Sequence, residues 1–287
     1  MPPKKKDNKE KKSNLLPLNF HNSFKLERNY IRSLMNFAAG GGRGNIIEIR
    51  DATGIPSGEH SGKVLPTINY CIGMGLLTQD NKDGVRSFEL TNFGRQVKQK
   101  DGVLMDPITQ WIGHFNMCNI LTGAAAWVHT FVDGYPAPLG FTFSREQLEE
   151  HLRIYFPKAK KLIGPLIGIY SEQNSLGICG VLLQEDSTSI VRKKPPLNDD
   201  MYAGYGAWLL QLIETFFPGK TQVTMTELQE ATKWRNITGW SANEEGILLQ
   251  ELEKKSYLMV DRHMDPWLLT VIMPLSKAWQ TVYADLI

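Results

Sequence analysis

A mainly α-helical chain with short β-hairpin wings, organised as tandem winged helix-turn-helix modules joined by a helical middle region, is the fold class that the sequence predicts. Three observations carry it. Apolar residues recur at helical spacing in three successive segments between Phe24 and Met74. Two extended runs follow directly, Gly75-Leu76-Leu77-Thr78 and Arg86-Ser87-Phe88-Glu89-Leu90, separated by the turn Asn81-Lys82-Asp83-Gly84. From residue 201 onward the same order of segments returns.

Residues 1–18 are charged and then interrupted by proline, which predicts a disordered basic tail. A module over 19–105 follows. Its first helix is expected over Phe24 to Ala38, with Phe24, Leu26, Tyr30, Ile31, Leu34, Met35 and Phe37 on the apolar side, and Gly40 to Gly44 stops it. Asn45 is placed to cap a short second helix that Gly54 ends. A third helix is expected from Lys63 to Met74, restricted or bent by Pro66. The hairpin comes next, and Thr91 caps a further helix over Asn92 to Lys98.

Residues 106–200 read as a helical middle region. A long apolar segment from Asp106 to Val132 is expected to be a buried connecting helix broken near Gly123. Ser144 and Gln147 have capping-box spacing, and Lys158 to Gln173 suggests another helix. Short extended pieces at Cys179 to Leu183 and Ser189 to Val191 precede the linker Lys193-Lys194-Pro195-Pro196, so this region suits a reduced, wingless helix-turn-helix. In 201–287, helices are expected over Ala207 to Phe217, Thr224 to Trp234 and Ser241 to Lys255. A hairpin, Tyr257 to Val260 with Trp267 to Ile272, and a helix from Pro274 to Leu286 complete that module.

The net charge of +2 is unevenly spread. The first 12 residues hold six lysines against Asp7 and Glu10, while 13–106 carries 11 basic and 9 acidic groups and 201–287 carries 7 and 10. Affinity for duplex DNA comes largely from neutralised phosphates, so any DNA contact is expected on the tail or the first module. No apolar run reaches the roughly 18–20 residues that cross a bilayer, and no apolar stretch resembling a signal peptide follows the N-terminal lysines, so a soluble intracellular chain is expected. Three widely spaced cysteines, Cys71, Cys118 and Cys179, suit small core residues in a reducing cytoplasm.

Nothing in the sequence marks catalysis, a cofactor or a metal. The Gly40 to Gly44 loop lacks a preceding strand and a following Gly-Lys-Ser/Thr. His114 and Cys118 sit four apart, but His129 lies about 22 Å further along a continuous helix, too far to share an ion. The chain holds no HExxH or GxSxG pattern. A DNA-facing surface is expected instead on the third helix and its approach, from Ser61, Lys63, Thr67, Asn69 and Tyr70, with Arg43, Lys82 and Arg86 gripping phosphates from the loop and wing. The corresponding C-terminal helix carries Glu244, Glu245, Glu251 and Glu253 and suits protein contact, with Trp240, Arg262 and Trp267 as its contact residues.

Phe20-His21-Asn22-Ser23-Phe24, Thr67-Ile68-Asn69-Tyr70, Gly75-Leu76-Leu77, Leu90-Thr91-Asn92-Phe93-Gly94 and Asp106-Pro107-Ile108-Thr109-Gln110-Trp111 follow one another in an order that resembles a bacterial domain-of-unknown-function family, numbered four thousand and seven. The resemblance spans roughly residues 20–275. It implies an accessory protein of a DNA phosphorothioation or phage-defence island, encoded beside a phosphoadenosine-phosphosulfate-reductase-like protein. Two roles follow as expectations: binding of double-stranded DNA through the first module, or an adaptor for a sulfur-transfer or modification enzyme without DNA contact. Winged-helix proteins often read two half-sites, so a homodimer is among the assemblies the sequence allows.

Overall fold

A computed structural model describes residues 14–58, 61–159, 163–185, 188–263 and 265–284. The expected tail over 1–13 lies outside the described residues. Residues 14–18, expected to belong to that tail, are instead tied down. The Asn14 and Leu16 amides donate to the Leu121 and Gly123 carbonyls, and Leu16 pairs with Ala124 as a parallel bridge.

One order of elements occurs three times: helix, short strand, two or three helices, then a hairpin. The first pass comprises α1 (Arg28–Ala39), β1 (Arg43–Gly44), α2 (Ile46–Thr53), α3 (Val64–Gly73), β2 (Leu77–Lys82) and β3 (Val85–Leu90). After α4 (Asn92–Lys100) and α5 (Pro107–Met117), the second begins with α6 (Ala125–Trp127), which runs into a π-helical turn over Val128–Asp133. It continues through β4 (Thr142–Ser144), α7 (Arg145–Tyr155), α8 (Gly164–Ser171), β5 (Leu182–Gln184) and β6 (Ser189–Arg192). The third has α9 (Asp199–Phe216), β7 (Gln222–Thr224), α10 (Met225–Thr232), α11 (Trp234–Thr238), α12 (Ala242–Lys254), β8 (Leu258–Asp261) and β9 (Leu268–Val271), closed by α13 (Leu275–Thr281).

Each sheet is antiparallel and places its last strand in the centre, in the orders β1-β3-β2, β4-β6-β5 and β7-β9-β8. The middle region therefore has a hairpin, contrary to the wingless unit expected. Its strands are only three and four residues long, too short for alternation to stand out in the sequence.

Two local devices recur with the topology. Where the first strand ends, a polar cap starts the next helix with a reciprocal capping box: Asn45 with Glu48, Ser144 with Gln147, Thr224 with Glu227. Where the last helix gives way to the hairpin, a left-handed residue turns the chain, and two buried apolar residues follow it. These are Gly75-Leu76-Leu77, Gly180-Val181-Leu182 and Ser256-Tyr257-Leu258. The left-handed residue reverses direction, and the apolar pair anchors the new strand in the core.

Several boundaries differ from expectation for identifiable reasons. Helix α1 starts at Arg28, because Glu27 is extended (φ −124°, ψ 118°) and the Phe24 carbonyl is bonded to the Tyr70 hydroxyl of α3 instead of opening a helix. Pro66 falls in the first turn of α3, where its missing N–H costs no hydrogen bond. Gly123 interrupts the segment after α5, and a Cβ there would lie 2.4 Å from the Met117 carbonyl oxygen. Lys233, left-handed, divides the expected Thr224 to Trp234 helix into α10 and α11.

The three passes share one continuous core. Helix α9 packs on α5, where Gly204 leaves room for Ile108. Helix α13 returns to the first pass, with Trp279 and Phe93 rings 5.0 Å apart, and the Tyr283 and Thr109 hydroxyls are bonded at 2.7 Å. Among the described residues no helix is long and apolar enough to cross a membrane.

Candidate functional site

The third helix of the first pass does not present a free polar face. Thr67 and Tyr70 are buried; the Thr67 hydroxyl donates to the Lys63 carbonyl, and the Tyr70 hydroxyl to the Phe24 carbonyl at 3.0 Å. Asn69 Nδ2 donates to the Phe20 carbonyl, also at 3.0 Å. Lys63 is ion-paired with Glu27 and lies over the Phe24 and Tyr30 rings. Residues 20–27 thus cover α3. The expectation that Thr67, Asn69 and Tyr70 face a groove is corrected: Asn69 and Tyr70 satisfy carbonyls of the covering segment, and the Thr67 hydroxyl bonds back to its own helix turn at the Lys63 carbonyl.

The remaining DNA-facing candidates are dispersed. Ser61 is exposed in a loop before α3. Arg43 and Lys82 lie on the outer face of the first sheet beside Asp80, which pairs with Lys82 at 3.3 Å. Arg86 points to the opposite face, because it shares parity with the buried Phe88 on β3. The two wing cations expected to act together are therefore on opposite sides of the hairpin.

In the C-terminal pass the positions divide differently. Trp240 is buried and donates its indole N–H to the Pro195 carbonyl at 3.0 Å, so it joins two passes and is not a contact residue on the surface. Arg262 lies 5.4 Å from the Trp267 ring centre and pairs with Glu253 at 2.7 Å; Trp267 is 37% exposed. The four glutamates of α12 are each neutralised from within the chain. Glu244 meets Lys194, Glu245 meets Arg235, Glu251 meets Lys254 and Glu253 meets Arg262. The residues that α12 leaves to solvent are Ala242, Asn243, Ile247, Gln250 and Lys254; Asn243, Ile247 and Gln250 form an uncharged row at helical spacing that ends at Lys254, itself paired with Glu251. In contrast, α3 has no exposed residue, and α8 exposes only its terminal Gly164 and Ser171.

The imidazoles are used separately. His114 is fully buried, its Nδ1 2.6 Å from the Tyr170 hydroxyl, which also accepts from the Trp127 indole N–H. His129, on the π-helical turn, pairs with Asp133 at 2.6 Å and stacks on Tyr155 at 3.7 Å. Among the described residues no group of three or more His, Cys, Asp or Glu could hold a metal ion. Burial pushes all three cysteine thiols up, Cys179 to about 12, so none is a ready nucleophile.

Two buried histidines make the fold sensitive to acid. Burial lowers His21 from 6.5 to about 4, and it holds His114 well below 6.5 with help from the Arg192 charge. In the unfolded chain both imidazoles take up a proton near pH 6.5; in the folded protein they resist until lower pH. Their stabilising contribution is complete above pH 6.5 and is lost as the pH falls towards 4, by up to about 3 kcal/mol for His21 alone. Glu245, raised by burial, acts in the opposite sense over the lower part of that range. Urea midpoints measured between pH 6.5 and 4 should fall steadily, and His21→Asn should flatten the slope. A midpoint independent of pH in this window would refute the assignment.

No protein-family model and no curated protein matches the sequence. Two solved structures do match the fold. One, "SspB crystal structure", is 13% identical over 96% of this chain and 89% of its own, with a TM-score of 0.66. The fold resembles that of SspB. The second, "Magnesium ion-bound SspB crystal structure", is 14% identical over 94% of this chain and 87% of its own, with a TM-score of 0.64. At this identity the likeness to SspB concerns the fold, and it extends through all three passes.

Proposed function

We propose that this chain is a non-catalytic adaptor built of three tandem winged-helix units, which docks an enzyme subunit of a DNA-modification or defence system through its C-terminal unit. The observation that carries the proposal is the selective exposure of the third helices. Those of the first two units are covered, while α12 keeps an open stripe with Ile247 41% exposed and its glutamates paired internally. Cores of protein interfaces are poor in charge and rich in aromatic residues, Met and Arg. The stripe on α12, with Trp267 under Arg262 and the exposed Met259 on the adjoining wing, has that composition. The dispersal of Arg43, Lys82 and Arg86 argues against one phosphate-gripping surface on the first unit.

Calorimetry of the full chain with the sulfur-transfer-type subunit implied by the family resemblance tests this. Binding should vary little between low and physiological salt, and Ile247→Glu should weaken it by about tenfold or more. The competing reading, direct binding of double-stranded DNA, predicts duplex affinity that falls steeply with salt and survives Ile247→Glu. That result, with no response to the subunit, would overturn the adaptor.

A further inference from the structure

A cavity of about 530 Å³ lies where the segment before α1 crosses the α7–α8 pair. Its size is within the usual range for small-molecule sites. His21 lines it while being only 6% exposed. The His21 Nδ1 accepts the Ser23 backbone N–H at 3.0 Å, and burial keeps the ring neutral, so its one proton resides on Nε2. That N–H donor has no hydrogen-bond partner among the described residues.

Three further features converge on the same space. Arg145, the first residue of α7, lines the cavity and makes no hydrogen bond or ion pair among the described residues. Helix α8 opens on the cavity at Gly164 without a side-chain cap; Pro165 has no N–H and the Ile167 N–H is bonded to the Ile163 carbonyl, so the Gly164 and Leu166 amides are the two first-turn donors left for a ligand, and no side chain at Gly164 obstructs them. Glu149, one turn along α7 from Arg145, and Gln184 at the end of β5 supply acceptors and an amide on the remaining wall.

We propose that this cavity binds a small sugar phosphate. The phosphate is held by the His21 Nε2–H, Arg145 and the Gly164 and Leu166 amides of α8. Sugar hydroxyls donate to Glu149 and exchange hydrogen bonds with Gln184. A free oxyanion would satisfy the donors but leave Glu149, which otherwise meets only Arg153 at 3.9 Å, facing it without a hydroxyl to accept from. A nucleobase finds no open aromatic face, because the lining ring, His21, is only 6% exposed.

Calorimetry and thermal-shift measurements on the full chain with ribose 5-phosphate, ribose, inorganic phosphate and a short duplex DNA test the assignment. Ribose 5-phosphate should bind saturably at one site and raise Tm; ribose should give no response, and inorganic phosphate should bind at least about tenfold more weakly. Arg145→Gln, a partly exposed position, should fold normally and weaken ribose 5-phosphate by about tenfold or more, and Glu149→Gln should narrow its advantage over inorganic phosphate. The site is wrong if ribose 5-phosphate gives no response, if inorganic phosphate binds as tightly, or if Arg145→Gln binds like the parent. Binding of the duplex alone would also overturn it.

Discussion

Arg192→Met is expected to destabilise the fold by about 3 kcal/mol or more, even though methionine nearly matches the volume removed. The Arg192 guanidinium is 4% exposed and has no carboxylate partner among the described residues. It donates instead to three carbonyls: Phe131 at 3.2 Å, Asn236 at 2.7 Å and Ile237 at 2.6 Å. The last two belong to the C-terminal turn of α11, whose carbonyls lack intrahelical donors, so Arg192 acts as that helix's cap. The rings of Phe131, Tyr135 and Phe141 lie 5.0–5.8 Å from its central carbon. Burial lowers its pKa to about 10, which still leaves it charged at neutral pH.

Replacing a buried ion pair with a hydrophobe is often neutral, because both charges leave together. Here only the donor would leave, and three buried carbonyls would stay behind. Arg192→Lys should recover part of the loss, since an ammonium can reach some of those oxygens but not spread across all three. Equilibrium urea unfolding of the two variants measures this. A methionine variant as stable as the parent would mean that solvent or neighbouring amides replace the guanidinium.

Much of the fold was legible because its local signals depend on few residues. Asn45 and Ser144 announce helix starts through a cap and its partner three positions on, and Lys82-Asp83-Gly84-Val85 announces a tight hairpin, with Asp83 and Gly84 both at positive φ. The middle hairpin carries the same left-handed residue and apolar pair, Gly180-Val181-Leu182, as the first. Aligning Gly75-Leu76-Leu77 with that triplet and with Ser256-Tyr257-Leu258 was the available signal for a third repeat.

The candidate site was harder to read, because periodicity reports which face of a helix is polar and not what that face meets. Asn69 and Tyr70 find their acceptors 49 and 46 residues earlier in the chain. The Glu244 and Glu245 partners, Lys194 and Arg235, lie on other elements, so α12 reads as acidic in sequence and is neutral in space. His21 was visible only as part of a family motif; its unpartnered Nε2–H depends on the cavity around it.

Gly94→Ala is expected to be as damaging as Arg192→Met, costing about 3 kcal/mol or more and reducing soluble yield. Thr91 Oγ1 accepts the Gly94 N–H at 2.9 Å as the cap of α4, and its own proton goes to the Gly75 carbonyl at 2.6 Å. These two bonds press the first turn of α4 onto the backbone entering β2. A Cβ on Gly94 would lie 1.9 Å from the Leu76 carbonyl oxygen and 2.8 Å from its carbon. Backbone atoms cannot rotate aside as a side chain can, and Leu76 is anchored by its own buried side chain. Relief therefore requires α4 to lift, which also pulls Phe93 from its contact with Trp279 and so separates the first pass from the terminal helix α13. In Leu90-Thr91-Asn92-Phe93-Gly94 the glycine is needed for its missing side chain, since α4 gives it ordinary helical dihedrals. Thr91→Ala, which removes the cap but adds no atoms, should cost only about 1 kcal/mol. If urea unfolding gave Gly94→Ala an equally small penalty, the close approach of α4 to the Leu76 carbonyl could not be what joins the first hairpin to the helix.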